Sequence, residues 1–522
     1  DENGKPRIQF GPKLETACTT PVSEGMVVRT QTKVVADARR EVLEFILTSH
    51  PLDCPICDKG GECPLQNLTM GYGPGQSRFL YEDKIHLAKH VPLGELIYLD
   101  RERCIQCARC VRFQDIIADD PVIGFYNRGR RLEIITYSEP GFDSIFSGNT
   151  TDICPVGALT TADFRFGARP WELKASASIC THCPVGCNLT FNTRREARAG
   201  GNPVIKRVMP RQNEQVNEIW ICDKGRFAYH YTESPQRLTN PLVRKGDGFE
   251  EISWEDAFHL AAEKIGNSAS LLTLAGGRLS NEDLFNLREL TLARNGQLTL
   301  YSDMAGGDLI ASYGLAPGSN FASMGSETAI VVVASDLHEE APVWWLRIKA
   351  AAQRGARLIV LNPRPTRLDK FAGHSLRYAY GEEIQALAAF LPGAQVPERY
   401  QAAVEDLRSA ENVVVLYGSE GLGLRQSRDL AQTAAALVSV HGKVGEINNG
   451  LVAVWQRAND QGAWDAGFRP LDDLPAALRR AEVALIAAAD PAGDDPRLAQ
   501  AVQQAGFVVV QELFLTDSAR LA

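Results

Sequence analysis

Short, continuous runs of apolar residues alternate with amphipathic stretches along the second half of the chain. The runs that predict strands cover residues 271–277, 329–335, 357–363, 412–418, 483–489 and 507–513. Between them, apolar residues at helical spacing predict helices such as Pro342–Gln353, Arg425–Val440 and Arg497–Ala505. Strands that are apolar along their whole length are typical of a parallel sheet covered by helices. The pattern predicts a multidomain α/β protein with a buried parallel sheet in its second half.

The first 240 residues have a different texture, rich in loops and cysteines. One clear helical pattern occurs there, ADARREVLEFILTSH at residues 36–50. We expect this helix to deliver His50 and Cys54 at its C-terminal end. All twelve cysteines lie in the first 222 residues, so the candidate chemistry is confined to this part of the chain.

Length and charge limit the classes of function. At 522 residues the chain is expected to form three to four domains. The net charge of −9 and the lack of a basic stripe argue against nucleic-acid binding. No apolar run reaches the roughly 18–20 residues that span a bilayer, and no signal peptide or twin-arginine segment stands at the start. The chain does not begin with Met and both ends look cut, so we expect a fragment of a longer polypeptide.

Eleven of the cysteines and one histidine sort into three sets of four candidate ligands. The first set, in HPLDCPICDKGGEC, is His50, Cys54, Cys57 and Cys63. The second, CIQCARC completed by DICPVGAL, is Cys104, Cys107, Cys110 and Cys154. The third, CTHCPVGC completed by EIWICDKGRF, is Cys180, Cys183, Cys187 and Cys222. Closely spaced thiolates with a distant fourth ligand are typical of [4Fe–4S] clusters.

The spacing leaves some alternatives open. A two-cluster ferredoxin would place a cysteine where Gln114 stands, so the second set predicts one cluster, closed by Cys154. Structural zinc favours two separated ligand pairs, and the triplets fit it poorly. Disulfides fit less well still, because an iron–sulfur protein belongs in a reducing compartment. His50 completes the first set by spacing; it is otherwise a capping or core residue, and the rival fourth ligand, Cys154, would leave the second set short.

The chain lacks the common nucleotide-binding motifs. No GxGxxG opens a helix after a strand, and no GxxxxGK[ST] occurs. The glycine-rich segment GSEGLGL at residues 418–424 predicts a strand-to-helix turn. We therefore expect no nicotinamide or flavin site in this chain, and no catalytic residue beyond the ligands of the metal clusters.

The motifs HPLDCPICDKGGECPLQ, LDRERCIQCARCVRF, GNTTDICPVGAL and CTHCPVGC…EIWICDKGRF closely resemble the large iron–sulfur subunit (the G subunit) of bacterial NADH:quinone oxidoreductase, respiratory complex I. The resemblance covers the first 235 residues almost continuously. ANDQGAWDAG at residues 458–467 is similar to the C-terminal domain of that subunit. Residues 334–367 are similar to the strand–helix–strand unit of molybdopterin oxidoreductases, so the resemblance implies that fold for the second half.

The resemblance implies a division of the chain into five domains. These are a C-terminal remnant of a plant-type [2Fe–2S] ferredoxin domain (1–30), a His/Cys₃ [4Fe–4S] domain (31–95), a Cys₄ [4Fe–4S] domain (96–170), a third [4Fe–4S] domain of molybdopterin-oxidoreductase type (171–240) and a molybdopterin-oxidoreductase-like α/β domain (241–522).

The implied cofactors are three [4Fe–4S] clusters and, in the longer protein only, one [2Fe–2S] cluster. By the resemblance, Cys18 is the last ligand of that truncated [2Fe–2S] site; the alternative is a buried structural cysteine. The third [4Fe–4S] cluster matches one thought to lie off the main electron path. We expect no molybdopterin, because no thiol follows Cys222 and RYAYGEE at 377–383 departs from the turn such enzymes place near the cofactor.

The implied function is electron transfer in an enzyme complex. Electrons would pass from the flavoprotein NADH-binding subunit through the clusters toward quinone, with no bond-making chemistry in this chain. The implied partners are that flavoprotein, its small [2Fe–2S] partner, the two-cluster ferredoxin-like subunit and the quinone-site subunits. The implied location is the peripheral arm, on the cytoplasmic side of the bacterial inner membrane, with membrane contact only through the complex. Four arginines flank the second set and are candidates for offsetting cluster charge or for covering the surface: Arg101, Arg103, Arg109 and Arg112.

Three rival classes remain. A molybdenum or tungsten formate dehydrogenase shares such a front end, but it presents a cysteine or selenocysteine to the metal after the third cluster motif, and none stands here; a Ser or Asp ligand remains open. A hydrogenase would need a cysteine-rich domain after residue 240. The rival outside the enzymes is a zinc-stabilised scaffold.

Overall fold

The computed structural model describes residues 11, 13–139 and 141–522. The first ten residues of the predicted ferredoxin remnant therefore lie outside the described part. The chain divides into two compact units, Asp1–Lys174 and Ala175–Ala522.

The first unit is built from short elements joined by long loops. Its helices are α1 (Lys33–Leu47), α2 (Pro64–Tyr72), α3 (Arg109–Arg112) and α4 (Asn149–Ile153). Its strands are β1 (Val91–Pro92), β2 (Ile97–Leu99), β3 (Ile123–Tyr126), β4 (Glu133–Thr136) and β5 (Leu159–Thr161). Antiparallel pairing gives the sheet β1-β2-β5 and the hairpin β3-β4.

Helix α1 confirms the predicted helical pattern but ends earlier than expected. Thr32 caps its N-terminus by accepting a hydrogen bond from the backbone N–H of Val35 at 3.3 Å. The helix ends at Leu47, three residues before His50. Pro51 follows His50, and a proline disfavours the helical conformation of the residue before it. His50 therefore lies on the loop that follows the helix.

The second unit begins with a three-stranded sheet, β6-β7-β8, in which β7 and β8 are antiparallel. Its elements up to residue 251 are β6 (Lys174–Ile179), β7 (Asn188–Arg195), β8 (Pro203–Pro210), α5 (Asp223–Phe227), β9 (Leu242–Lys245) and β10 (Gly248–Glu251). The last two form a hairpin. The third cysteine set lies in this part of the unit, on the loop between β6 and β7 and at the start of α5.

An α/β region fills the rest of the second unit. Its strands are β11 (Leu271–Gly276), β12 (Gln297–Tyr301), β13 (Thr328–Val333), β14 (Arg357–Leu361), β15 (His374–Leu376), β16 (Asn412–Tyr417), β17 (Gly450–Ala453), β18 (Val483–Ala487) and β19 (Phe507–Gln511). Its helices are α6 (Trp254–Asn267), α7 (Asn281–Ala293), α8 (Gly307–Tyr313), α9 (Leu337–Glu340), α10 (Pro342–Gln353), α11 (Glu383–Ala388), α12 (Gln401–Ser409), α13 (Leu424–His441), α14 (Asp460–Asp465), α15 (Leu474–Arg480), α16 (Pro491–Asp494), α17 (Pro496–Gln503) and α18 (Asp517–Arg520).

These strands form two parallel sheets, which confirms the expected α/β domain with parallel sheets. The four-stranded sheet has the order β12-β11-β18-β19, and the five-stranded sheet has the order β15-β14-β13-β16-β17. All six predicted strands are confirmed, and so is the turn at residues 418–424, which joins β16 to α13.

The core of the five-stranded sheet explains its continuous apolar strands. Every residue of β13 is buried, Tyr417 of the paired strand β16 is completely buried, and so is Trp345 of α10. Burial on both faces removes the need for polar alternation along the strand.

No helix in the described part of the chain is long and apolar enough to cross a membrane.

Candidate iron–sulfur sites

The first candidate set surrounds one cavity of about 230 Å³ in the first unit. The cavity is lined by all four predicted ligands, His50, Cys54, Cys57 and Cys63. Helix α2 begins directly after Cys63, with Pro64 in its first turn, and Leu65 adds an apolar wall. The side chains surround a volume, and among the described residues no three His, Cys, Asp or Glu side chains converge on a single ion position.

His50 lies in this cavity as a neutral imidazole. Its pKa is lowered to about 4. Burial is the main cause, and the charges of Lys84 and Arg103 contribute. Its Nδ1 atom is buried and has no hydrogen-bond partner within the protein. A buried ring nitrogen normally has a partner, and neutral imidazole is the form that binds metals. The geometry and protonation of His50 therefore fit a metal ligand.

The loop after Cys154 packs directly on the cysteines of the first set. The Cys63 thiol donates a hydrogen bond to the carbonyl oxygen of Pro155 at 3.6 Å. Gly157 faces Cys57 so closely that a Cβ atom at residue 157 would overlap the Cys57 Sγ atom. Arg169 donates a hydrogen bond from Nη1 to the carbonyl oxygen of Cys57 at 2.6 Å. Cys57 is thus held from two sides, and its position depends on residues far away in the sequence.

The second set lines a separate, narrower cavity of about 20 Å³. Its thiols are those of Cys104, Cys107, Cys110 and Cys154, as predicted. The pKa of Cys104 is raised to about 11 and that of Cys110 to about 12. Burial is the main cause of both shifts, and neighbouring cysteines of the set contribute to them. Burial also raises the pKa of Cys154. The four sulfur atoms are therefore close enough to repel one another as thiolates.

The loop CIQCARC follows a strained path around this cavity. Gln106 and Ala108 have φ angles of 56° and 62°, in the left-handed region that L residues rarely adopt. The Gln106 side chain donates a hydrogen bond to the carbonyl oxygen of Leu132 at 2.8 Å and so anchors the turn. Backbone strain of this kind is often stored at functional sites. Here it lets three cysteines at two-residue spacing face one cavity.

The third set is held by the second unit. The loop CTHCPVGC joins β6 to β7, and the backbone N–H of Cys180 donates to the carbonyl oxygen of Cys187 at 2.8 Å, which closes the loop. Cys222 caps α5, where its Sγ atom accepts a hydrogen bond from the N–H of Gly225 at 3.5 Å. An added Cβ at Gly225 would lie 3.4 Å from the Cys180 Sγ and 3.8 Å from the Cys222 Sγ, so both thiols approach this glycine.

The thiols of the third set are also strongly perturbed. Burial raises the pKa of Cys183 to about 11 and that of Cys222 to about 12, and it raises the pKa of Cys187 well above its usual value. Each of these thiols is further affected by other cysteines of the same set. Three buried thiolates and one half-buried thiolate need a compensating cationic group, which the iron of a cluster supplies. The donor sets fit iron–sulfur clusters.

The four arginines near the second set have different positions. Arg109 lines the second cavity, and Arg101 pairs with Glu133 at 2.9 Å. Arg103 lines the first cavity, although it precedes Cys104 in the sequence. Arg112 lines neither cavity. Sequence proximity therefore misplaces Arg103, because its side chain points away from the set that it flanks.

Two lysines close to the sets were missed by the sequence reasoning. Lys59 donates a hydrogen bond from Nζ to the carbonyl oxygen of Thr151 at 3.0 Å, and its charge partly offsets the burial that raises the pKa of Cys154. Burial raises the pKa of Cys180, and the charge of Lys224 partly offsets this rise. A signal was present, because the tetrapeptide CDKG occurs at residues 57–60 and again at residues 222–225. A repeated cysteine–acid–lysine–glycine segment in two ligand sets indicates a shared local role.

Two further residues from the sequence reasoning lie outside the cavities. Cys18 is exposed in the turn at residues 17–19, which does not match the alternative of a buried structural cysteine. Gln114 is completely buried in a π-helical turn, Phe113–Ile117, and its side-chain amide atoms have no hydrogen-bond partner. It lines neither of the two cavities.

The carboxyl edge of the five-stranded sheet is where an open α/β sheet would bind a ligand, between β13 and β16. There Arg364 bridges Asp336 at 2.9 Å and Glu420 at 2.6 Å. A third carboxyl group, that of Glu340, accepts a hydrogen bond from Ser335. The carboxylates of Asp336 and Glu420 against one guanidinium already leave an excess of negative charge. These residues do not fit the phosphate of a pterin cofactor.

Comparison with known families covers most of the chain. Models described as "NADH-ubiquinone oxidoreductase-G iron-sulfur binding region", "NADH-quinone oxidoreductase subunit 3, ferredoxin-like domain" and "NADH-ubiquinone oxidoreductase NDSU1/NuoG-like, 4Fe-4S domain" match residues 39–78, 94–160 and 173–230. The model "Molybdopterin oxidoreductase" matches residues 237–522, more than half of the chain.

Individual relatives agree with these models. The chain is 37% identical to the G subunit of NADH-quinone oxidoreductase from Streptomyces coelicolor, over 96% of this chain and 65% of the relative. It is 36% identical to the corresponding subunit of Mycobacterium bovis, over 87% of this chain and 55% of the relative. It is 34% identical to NADH-quinone oxidoreductase subunit 3 of Thermus thermophilus, over 90% and 62%. The chain thus spans less than two thirds of the length of these relatives. It belongs to the molybdopterin oxidoreductase family, and its iron–sulfur domains are those of the large iron–sulfur subunit of the NADH-quinone oxidoreductases.

Proposed function

We propose that this chain is an electron-transfer subunit of NADH:quinone oxidoreductase that holds three [4Fe–4S] clusters and passes electrons from the flavoprotein toward quinone. The observation that carries the proposal is that the candidate ligands gather as three separate sets, the first two of which each line a cavity of their own. The kinship with the large iron–sulfur subunits of that enzyme supports the same function.

Each set supplies four ligands to one cluster. His50, Cys54, Cys57 and Cys63 hold the first cluster, and the second is held by Cys104, Cys107, Cys110 and Cys154. The third is held by Cys180, Cys183, Cys187 and Cys222. Cys154 closes the second set because it lines the second cavity and not the first. That leaves His50 as the fourth ligand of the first cluster.

When bound, iron–sulfur clusters supply one-electron carriage. The chain's residues fix the positions of the ligands and limit the access of water. Leu65 and Leu47 wall the first cavity, and Leu99, Ile134 and Val156 wall the second. Such an apolar shell keeps the local dielectric low and helps to set the cluster's reduction potential.

Exposure of the ligands indicates where electrons pass to partners. In the first unit, Cys54 and Cys107 are exposed, whereas Cys57, Cys63 and Cys154 are buried. The two exposed ligands belong to different sets, so each cluster of this unit has one edge near the surface. Proposed partners are the flavoprotein NADH-binding subunit, its small [2Fe–2S] partner, the two-cluster ferredoxin-like subunit and the quinone-site subunits.

The remaining assignments follow from the same proposal. Cys18 is the last ligand of a [2Fe–2S] cluster that only a longer chain completes. The α/β region of residues 241–522 serves as a packing scaffold without pterin, and the acidic edge at Asp336, Glu340 and Glu420 supports this. The chain acts in the peripheral arm on the cytoplasmic side of the bacterial inner membrane.

Reduction by NADH tests this function. The cluster-loaded chain should stay oxidised with NADH alone and become reduced once the flavoprotein subunit is added. The loss of visible absorbance, measured under anaerobic conditions, reports this reduction. The flavoprotein without this chain is the control. Reduction of the isolated chain by formate would contradict the proposal and favour a formate dehydrogenase.

A further inference from the structure

The first two ligand sets exchange charged residues across their boundary. Arg103 directly precedes Cys104 of the second set, yet its side chain lines the first cavity with His50 and Cys57. Lys59 lies between Cys57 and Cys63 of the first set, yet its Nζ atom binds the carbonyl oxygen of Thr151, three residues before Cys154. Each sequence motif therefore places a cation beside the neighbouring motif's cavity or ligand.

Arg103 is held rigidly in this position. Its side chain is only 3% exposed and its Nε atom lies 2.9 Å from a carboxylate oxygen of Asp53 and 3.2 Å from one of Asp100. Asp53 lies in the first set's loop, and Lys89 also pairs with it. Because two carboxylates hold the guanidinium, a swing toward the second set would break both of its ion pairs inside the protein.

Lys59 is fixed by a backbone contact of the opposite motif. Its Nζ atom reaches the C-terminal end of α4, the helix that leads into Cys154. An added Cβ at Gly157 would lie 3.4 Å from the Cβ atom of Lys59, so the stem of the lysine packs along the Cys154–Gly157 segment. The ammonium charge therefore belongs to the surroundings of the second set.

We propose that the first two clusters are tuned crosswise: Arg103 raises the reduction potential of the first cluster, and Lys59 raises that of the second. This inference rests on the proposed function, because it requires clusters in both sets. A fixed positive charge in a low-dielectric site favours the state that carries one more electron. The arrangement makes the potential of each cluster depend on a residue from the other cluster's motif.

Single substitutions separate the two effects. Arg103→Gln should lower the equilibrium constant for reduction of the first cluster at least tenfold, which is 59 mV for one electron, and leave the second within threefold. Lys59→Gln should lower the equilibrium constant for reduction of the second cluster at least tenfold and leave that of the first within threefold. Arg109→Gln is the matched control, since Arg109 lies in the same motif as Arg103 but lines the second cavity; it should leave the first cluster unchanged. Anaerobic potentiometric titration followed by EPR measures both, and the first cluster's signal is the one that His50→Cys alters.

The outcomes distinguish this inference from the proposed function. The crosswise assignment is overturned, and the proposed function left intact, if the protein carries both clusters and Arg103→Gln shifts the reduction potential of only the second cluster or of neither. Wild-type protein that binds no cluster contradicts both. If Arg103→Gln loses iron, Arg103→Lys, which keeps the charge, should retain the reduction potential of the first cluster. Lys59→Gln then decides the question. A shift in the potential of the first cluster instead of the second overturns the inference.

Discussion

The Cys63 thiol lies 3.6 Å from the carbonyl oxygen of Pro155, the residue that follows Cys154. One short segment therefore closes the second ligand set and covers the first. Gly157, at the end of the same segment, packs on the Cys57 Sγ atom. Because these contacts join the two sites, a change in the segment after Cys154 should be felt at the first set as well as the second.

Gly157→Ala is predicted to disturb the first cluster. The new methyl group would overlap the Cys57 Sγ atom, and overpacking of a well-packed site typically costs about 1–3 kcal/mol. We expect loss of the first cluster, so iron should fall by about four atoms per chain. Iron analysis and the EPR signal of the first cluster measure this.

Gly225→Ala is the matched control for that substitution. Gly225 also faces two cluster thiols, but its added methyl group would make only ordinary contacts, at 3.4 Å and 3.8 Å. Iron content should stay at the wild-type level. Equal iron loss in both variants would show that any methyl group near a set is harmful, and would remove the specific role of Gly157.

His50→Cys is predicted to keep the first cluster and lower its reduction potential. Thiolate adds a negative charge where neutral imidazole has none, and added negative charge disfavours reduction. We expect an equilibrium constant for reduction at least tenfold lower, or about 59 mV. Potentiometric EPR measures the shift. His259→Cys is the control, since His259 is an exposed residue of helix α6. An unchanged first-cluster potential in His50→Cys would rule out His50 as a ligand.

Glu340 predicts a pH dependence of stability in the second unit. Its pKa is raised from 4.5 to about 7. Burial is the main cause, and the charges of Glu420 and Asp336 contribute. The folded state therefore holds a proton that the unfolded state releases above about pH 4.5. The resulting stabilisation is fully present below pH 4.5 and is lost as pH rises toward 7. It amounts to at most about 3 kcal/mol.

Glu340→Gln should remove this pH dependence. The free energy of unfolding, measured by urea titration with tryptophan fluorescence at pH 5 and pH 8, should fall with pH in the wild type and change less in the variant. Glu263→Gln, at an exposed residue of helix α6, should keep the wild-type slope. An identical slope in the wild type and in Glu340→Gln would contradict the assignment.

The α/β region was readable from sequence where burial was complete. Strands such as Thr328–Val333 are apolar at nearly every position because helices cover both faces. Three strands escaped prediction: Gln297–Tyr301, His374–Leu376 and Gly450–Ala453. The first alternates polar and apolar residues, and the second has only three residues, so both lack the continuous run on which the prediction depends. The third, GLVA, is a short apolar run that the prediction overlooked. The order of the strands within the two sheets was not predicted, because it depends on pairing between distant segments.

In the candidate sites, local spacing predicted the groups of ligands but not the residues around them. The three or four residues of each loop are close in sequence, so their grouping is a local property. The contacts of Arg103, Lys59 and Gly157 join motifs that are about 45 to 100 residues apart. Nothing in the local pattern around Cys104 indicates that Arg103 turns toward the first set, because that direction depends on Asp53.

Iron and acid-labile sulfide in the reconstituted protein test the central claim most directly. The chain, reconstituted anaerobically and freed of unbound metal, should contain about 12 iron and about 12 sulfide per molecule, by the four-iron stoichiometry of three cubes. Cys222→Ser is the internal control and should lose about four of each if the third set holds its own cluster. Two or three zinc ions per chain with no sulfide would contradict the account.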